Sequence, residues 1–202
     1  SYRTVILEMK RKLCFFVNSL YGGGAEKVMQ TMLGHLDYNK FDVTLYSIHQ
    51  EKLNDLYPSN ITYKYVYGNG RVGNYIKSFV YTHFSPSLFY RLFIKGEYDV
   101  EVAFIEGYAT RIVSGSTNEK SRKIAWIHTD LKNNHWTKIA YKSMAEECEC
   151  YQQFDDVVSV SETVRKSAKD LFPKIKHSLC LYNPIDSKEI ILKSRGDDEI
   201  TG

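Results

Sequence analysis

Two clusters in this 202-residue chain have residue types and spacing suited to ligand chemistry. The first is Gly22-Gly23-Gly24-Ala25-Glu26. Consecutive glycines let a backbone approach a bound group closely, and N–H groups opening a helix favour a phosphate or hydroxyl oxygen. Two phosphate-binding patterns fail here: no Gly-Lys-Ser/Thr follows, and Lys27 stands where a dinucleotide fingerprint wants its third glycine. Without a ligand, the same residues make a tight strand-to-helix turn with Glu26 well placed in the first helical turn. The second cluster is His128-Thr129-Asp130, which follows the apolar run Ile124-Ala125-Trp126-Ile127. An imidazole next to a carboxylate at a strand end is placed to hydrogen-bond a ligand. His35, His49, His83, His135 and His177 lack such a setting and read as surface or packing residues. No Gly-x-Ser-x-Gly elbow is present, which argues against a serine hydrolase. Glu146, Glu147 and Glu149 crowd one stretch with no His at ligand spacing, so they read as a solvated acidic face and not as a metal site.

These groups need a frame that gathers them. Short apolar runs predict strands over 13–17, 41–48, 61–66, 100–105, 123–127, 157–160 and 179–182. Three- and four-residue apolar spacing predicts helices over 25–36, 109–114, 134–153 and 162–171, the last opened by Ser161 as N-cap. Strands alternating with helices imply an α/β fold, a doubly wound and mostly parallel sheet with helices on both faces. Ligands of such sheets bind outside the carboxyl ends of the strands. That rule puts the loop at 18–26, Glu106-Gly107, His128 with Thr129 and Asp130, and Ser161-Glu162 on one rim.

The composition, 43% hydrophobic and 25% charged, is that of a globular domain and excludes a disordered chain or a disulfide scaffold. The charges, 27 Lys plus Arg against 24 Asp plus Glu, are scattered, so no nucleic-acid footprint emerges. Cys14, Cys148, Cys150 and Cys180 form no C-x-x-C pair and read as free thiols of a cytoplasmic protein. Residues 71–95 are rich in Tyr, Phe, Ile and Leu and are broken by Ser85-Pro86, which predicts two short helices meeting at the proline. One reading packs them on the sheet with Arg71, Lys77, Arg91 and Lys95 snorkelling; the other rests them on anionic lipid headgroups at the inner membrane face. Met9-Lys10-Arg11-Lys12 looks like a natural start, so 1–8 reads as an appended segment, 9–186 as the domain, and 187–202 as a tail or the start of an interdomain linker.

Four motifs in order carry a resemblance: Gly-Gly-Ala-Glu at Gly23 to Glu26, Trp126-Ile127-His128-Thr129-Asp130, Ser159-Val160-Ser161-Glu162-Thr163-Val164-Arg165, and Tyr182-Asn183-Pro184-Ile185-Asp186. Together they resemble the N-terminal, acceptor-side domain of GT-B glycosyltransferases of family 4, of the bacterial polysaccharide and capsule type. The resemblance implies a Rossmann-like domain facing a second one across a cleft, in a retaining enzyme that moves a sugar from a nucleotide-sugar donor to a glycan or polyprenyl-linked acceptor. It also implies that Gly22, Gly23, Gly24 and Glu26 face donor phosphates and acceptor. His128 would hydrogen-bond the transferred sugar, and Glu106, Gly107, Thr129 and Asp130 would line the acceptor rim. No metal or other cofactor is expected. The isolated domain would be inactive without its C-terminal partner. The rival reading is a non-catalytic Rossmann-type module that binds a nucleotide, a sugar or a protein.

Overall fold

The computed structural model describes residues 9–183. The segment 1–8, the motif from Pro184 to Asp186 and the tail 187–202 lie outside the described residues. Among those described, seven strands form one sheet: β1 (Arg11–Val17), β2 (Phe41–His49), β3 (Thr62–Tyr67), β4 (Val100–Ala103), β5 (Arg122–Ile127), β6 (Asp156–Ser159) and β7 (Ser178–Cys180). All neighbours pair in parallel, in the order β3-β2-β1-β4-β5-β6-β7. The sheet grows outward from β1 to β3, then restarts with β4 on the other side of β1. That reversal opens the crevice where parallel sheets take ligands.

The central strand is buried on both faces, as its continuous apolar run requires. Phe15 and Val17 pack with Met29 and Leu33 of α1 (Gly24–His35), and the connection through Tyr57 and Ile61 closes that side. Cys14 and Phe16 point the other way. That second face is covered by α2 (Arg71–His83), α3 (Pro86–Phe93), α4 (Tyr108–Ser114), α5 (Met144–Gln152) and α6 (Glu162–Leu171). The proline break falls where expected, with the Ser85 hydroxyl accepting from the Leu88 N–H at 3.2 Å to open α3. Ser161 caps α6 in the same way, from the Val164 N–H. The four cysteines form no disulfide.

Two expectations are corrected. The stretch 134–153 is not one helix: a 3₁₀ turn spans Trp136–Ala140, the backbone extends at Tyr141, and α5 begins after Ser143. Ser143 accepts from the Glu146 N–H at 3.1 Å while the Glu146 carboxylate accepts from the Lys142 N–H at 2.8 Å. This Ser143 cap, with Glu146 reaching back to the residue before it, starts a new helix against the local apolar period. Nor do the glutamates of α5 form one solvated face, since only Glu149 is exposed. Glu147 is buried, accepting from Thr137 Oγ1 at 2.6 Å and lying 2.8 Å from His135 Nε2, and Glu146 pairs with Arg111.

Helices α3 and α4 approach so closely that the glycine ending α4 has no room for a side chain. A Cβ on Gly115 would stand 2.2 Å from the Pro86 carbonyl oxygen, a backbone atom that cannot swing aside. Gly115→Ala should therefore destabilise the chain by about 1–3 kcal/mol, the usual cost of overpacking, measured by urea unfolding. An unchanged midpoint would mean that the two helices separate freely.

Candidate functional site

The carboxyl ends of β1, β4 and β5 converge on one cluster. Beyond β1, the Asn18 side chain donates to the Glu106 carbonyl at 2.9 Å and accepts from the Ala109 N–H at 3.1 Å. Between those partners Gly107 turns the chain into α4 with φ +93, a left-handed conformation that a side chain rarely adopts. Glu106 is buried, and its carboxylate accepts from the His128 N–H at 3.0 Å.

The His128 ring is fixed from two sides. Its Nε2 lies 2.8 Å from the Phe104 carbonyl oxygen, and its face packs against the Phe104 ring at 5.0 Å between centroids. A carbonyl only accepts, so Nε2 carries a proton, and the neutral ring presents a lone pair at Nδ1. Burial lowers the His128 pKa, which Glu106, the Phe104 carbonyl and Glu26 oppose without reversing, so the net direction is below the ordinary 6.5. At neutral pH the residue is thus an oriented hydrogen-bond acceptor. A hydroxyl donor is its natural complement.

The glycine loop is pinned from below. The Leu20 N–H donates to Glu51 at 2.8 Å, and Tyr57 donates to the Leu20 carbonyl at 2.8 Å. Gly22 has φ +111, and space is open around both Gly22 and Gly24, whereas the Glu26 carboxylate folds back over Gly23. Tyr21, the glycines, Glu26, Gln30 and Leu56 line a hollow of about 530 Å³. Thr129 follows on the same rim, partly exposed. Asp130 serves its own turn: its carboxylate, held below the usual range by bonds from Ser167 and Asn133, accepts from Asn133 Nδ2 at 2.7 Å. The carboxylate joined to His128 is that of Glu106. The sequence reading had set both acids on the rim; the structure puts Glu106 beneath it.

A second hollow, about 670 Å³, opens beside Asn18 and is walled by His49, Tyr67, Tyr81, Tyr108 and Arg111 among others. Sequence reasoning missed it. Its base is Arg111, buried on α4, which donates to Glu146 through Nε at 3.1 Å and Nη2 at 2.9 Å. The Tyr81 ring lies 4.2 Å from the guanidinium carbon. One signal was available: Arg111 is the single charge in the seven-residue helix Tyr-Ala-Thr-Arg-Ile-Val-Ser. His49, read as a surface or packing residue, stands on the wall. Among the described residues no group of three or more His, Cys, Asp or Glu side chains converges as a metal site requires.

The fold recurs in solved structures. The fold is that of glycosyltransferase domains. The chain matches the apo form of WaaB, a lipopolysaccharide outer core galactosyltransferase, with TM-score 0.53 and 13% identity over 86% of this chain and 46% of that one. It matches Anabaena HepE in complex with UDP-glucose with TM-score 0.52 and 14% identity, over 95% of this chain and 50% of HepE. The chain spans about half the length of these two transferases. No family model matches, and no curated protein matches by sequence. With WaaB and HepE the likeness lies in the fold: a Rossmann-like α/β domain of the GT-B kind, as the sequence led us to expect.

The state of His128 is directly measurable. In a ¹⁵N-edited NMR titration it should be Nε2-protonated at pH 7 and titrate below 6.5. Because the folded state disfavours the charged ring, His128 contributes its full stability above the unfolded value; that contribution falls as pH drops below about 6.5, where the unfolded chain takes up the proton first. A midpoint at or above 6.5 would refute the buried, carbonyl-bound geometry.

Proposed function

We propose that the chain is the acceptor-side half of a retaining, family 4 type glycosyltransferase, which moves a sugar from a nucleotide-sugar donor to a glycan or polyprenyl-linked acceptor in polysaccharide biosynthesis. The observation that carries this reading is the neutral His128, its Nε2 spent on Phe104 and its Nδ1 free of any partner among the described residues, at the carboxyl end of β5 beside the β1–β4 crevice of a GT-B domain. Nδ1 accepts a hydroxyl of the sugar in transfer, and Glu106 fixes the backbone that presents it. The open backbone at Gly22 and Gly24 gives the donor's phosphates a close approach. UDP-glucose in the HepE complex supports a nucleotide sugar as donor. A second domain holds that donor across the cleft. The acceptor hydroxyl attacks the anomeric carbon from the face the nucleotide leaves, and the departing phosphate takes its proton, so neither a protein nucleophile nor a metal enters the scheme.

The enzyme works at the inner face of the cell membrane. Among the described residues no helix is long and apolar enough to cross a membrane. Helix α2 nevertheless exposes Val72, Tyr75, Ile76 and Phe79, a three- and four-residue stripe continued by Phe84 and Leu92. Arg71, Arg91 and Lys95 are exposed around it, whereas Lys77 is tied to the Val66 carbonyl. This supports an interfacial contact that keeps the protein near a lipid-linked acceptor.

In a protein carrying both halves, His128→Ala should lower the transfer rate by about 10- to 1000-fold with cooperative unfolding retained, at roughly 1.4 kcal/mol per factor of ten. Wild-type activity in that variant would make His128 structural. The 202-residue chain alone should fold and show no turnover with nucleotide sugars, because the groups that complete the reaction come from the other side of the cleft. The chain should co-sediment with anionic vesicles at low salt, and Glu at positions 71, 91 and 95 should weaken this by well over tenfold, at about 1 kcal/mol per basic residue. No sedimentation at low salt would end the membrane reading for this domain.

A further inference from the structure

The scheme above leaves the 670 Å³ hollow without an occupant. Its wall combines tyrosine rings with amide and hydroxyl groups and two cations, Arg111 and Lys142, and none of the residues lining it is an Asp or Glu. The acid behind the wall is already committed. Glu146 accepts twice from the Arg111 guanidinium and once from the Lys142 N–H, bonds that outweigh its burial and hold its carboxyl below the usual range. Two positive charges thus stand against one negative. Arg111 Nη1 is buried without any partner, on a side chain only 1% exposed, and Lys142 Nζ meets only a carbonyl, that of Phe84 at 3.0 Å. A buried donor left unpaired is an opening for a ligand acceptor, and the guanidinium's remaining edge favours an anion.

Asn18 connects this hollow to the rim. It lines the cavity, and its amide donates to Glu106, the residue that holds His128. We propose that the hollow seats an acidic sugar residue of the acceptor, its ring against Tyr67, Tyr81 and Tyr108 and its carboxylate or phosphate ester at Arg111 and Lys142. This rests on the acceptor-side reading and narrows the acceptor to an anionic saccharide. Aromatic walls with a few convergent polar groups are what small-molecule pockets present.

The test is an NMR titration of the whole 202-residue chain with trigalacturonate, galactotriose, galactose 6-phosphate and galactose. One acidic probe should bind about tenfold or more tightly than its neutral counterpart and shift the amides of Asn74, Ser78 and Thr82, with the preference shrinking in about 0.5 M salt. Which acidic probe does so tells carboxylate from phosphate. Lys142 is exposed, so Lys142→Gln keeps the fold; it should remove most of the acidic preference, the acidic probe losing far more affinity than the neutral one, while Arg111→Gln should abolish the preference where it folds. Equal affinity for acidic and neutral probes, shifts confined to residues outside the hollow, or no shift at about 10 mM of any probe would overturn the proposal. Those outcomes leave the transferase reading standing. Its own failure would show as absent sugar transfer by the two-domain protein, whatever the titration gave.

Discussion

The Asn18 side chain, donating to the Glu106 carbonyl and accepting from the Ala109 N–H, closes a gap that the strand order creates. Where a parallel sheet reverses its direction of growth, the loops after its two central strands leave toward opposite faces. Here α1 departs to one side and α4 to the other. An amide, with a donor and an acceptor on one planar group, bridges both departures at once. With that bridge in place, Glu106 reaches the backbone of His128, and His128 reaches back to Phe104. Each bond of the cluster presupposes the one before it.

The second face is organised by charges that burial makes costly to leave single. Arg111 and Glu146 pair between α4 and α5, Glu147 gathers His135 and Thr137, and Glu101 on β4 accepts from Tyr90 and from Ser116 Oγ. Each pairing ties elements that apolar packing alone would leave free to slide. The product of these pairings is the position of α4, whose Arg111 and Tyr108 shape the hollow beside the rim.

The strands were legible because a run such as Leu13-Cys14-Phe15-Phe16-Val17, apolar without alternation, has few other uses in a globular chain. Their ends fell within a residue or two of those observed. Helix α5 was misread because its apolar spacing ran on through Tyr141, although Ser143 and Glu146 stood at the separation of a capping box. His128 was singled out from its place after a strand. Its true partners, Glu106 and Phe104, were not separable from Asp130, since partnership depends on where β4 and β5 lie in space. Asn18 was legible only as the first residue of the rim loop 18–26, not as a bridge, for the same reason: a lone amide declares nothing until the residues 88 and 91 positions away arrive beside it. The hollow, assembled from several elements, leaves only the faint mark of one arginine in an apolar helix.

Those two separations also set an order of events. Strands β1 to β3 are neighbours in sequence and pair with one another, and β4 to β7 do likewise. The β1–β4 seam joins the two groups and must close a loop of nearly ninety residues, about 1 kcal/mol more costly in chain entropy than the closure of β1 on β2. The seam is the most non-local pairing of the sheet, and each group can begin to assemble before it forms. The Asn18 bridge spans that seam. The glycine-loop hollow belongs wholly to the first group, whereas the Asn18–Glu106–His128 cluster exists only once the two half-sheets have docked, so a chain caught earlier in folding has half of its binding edge.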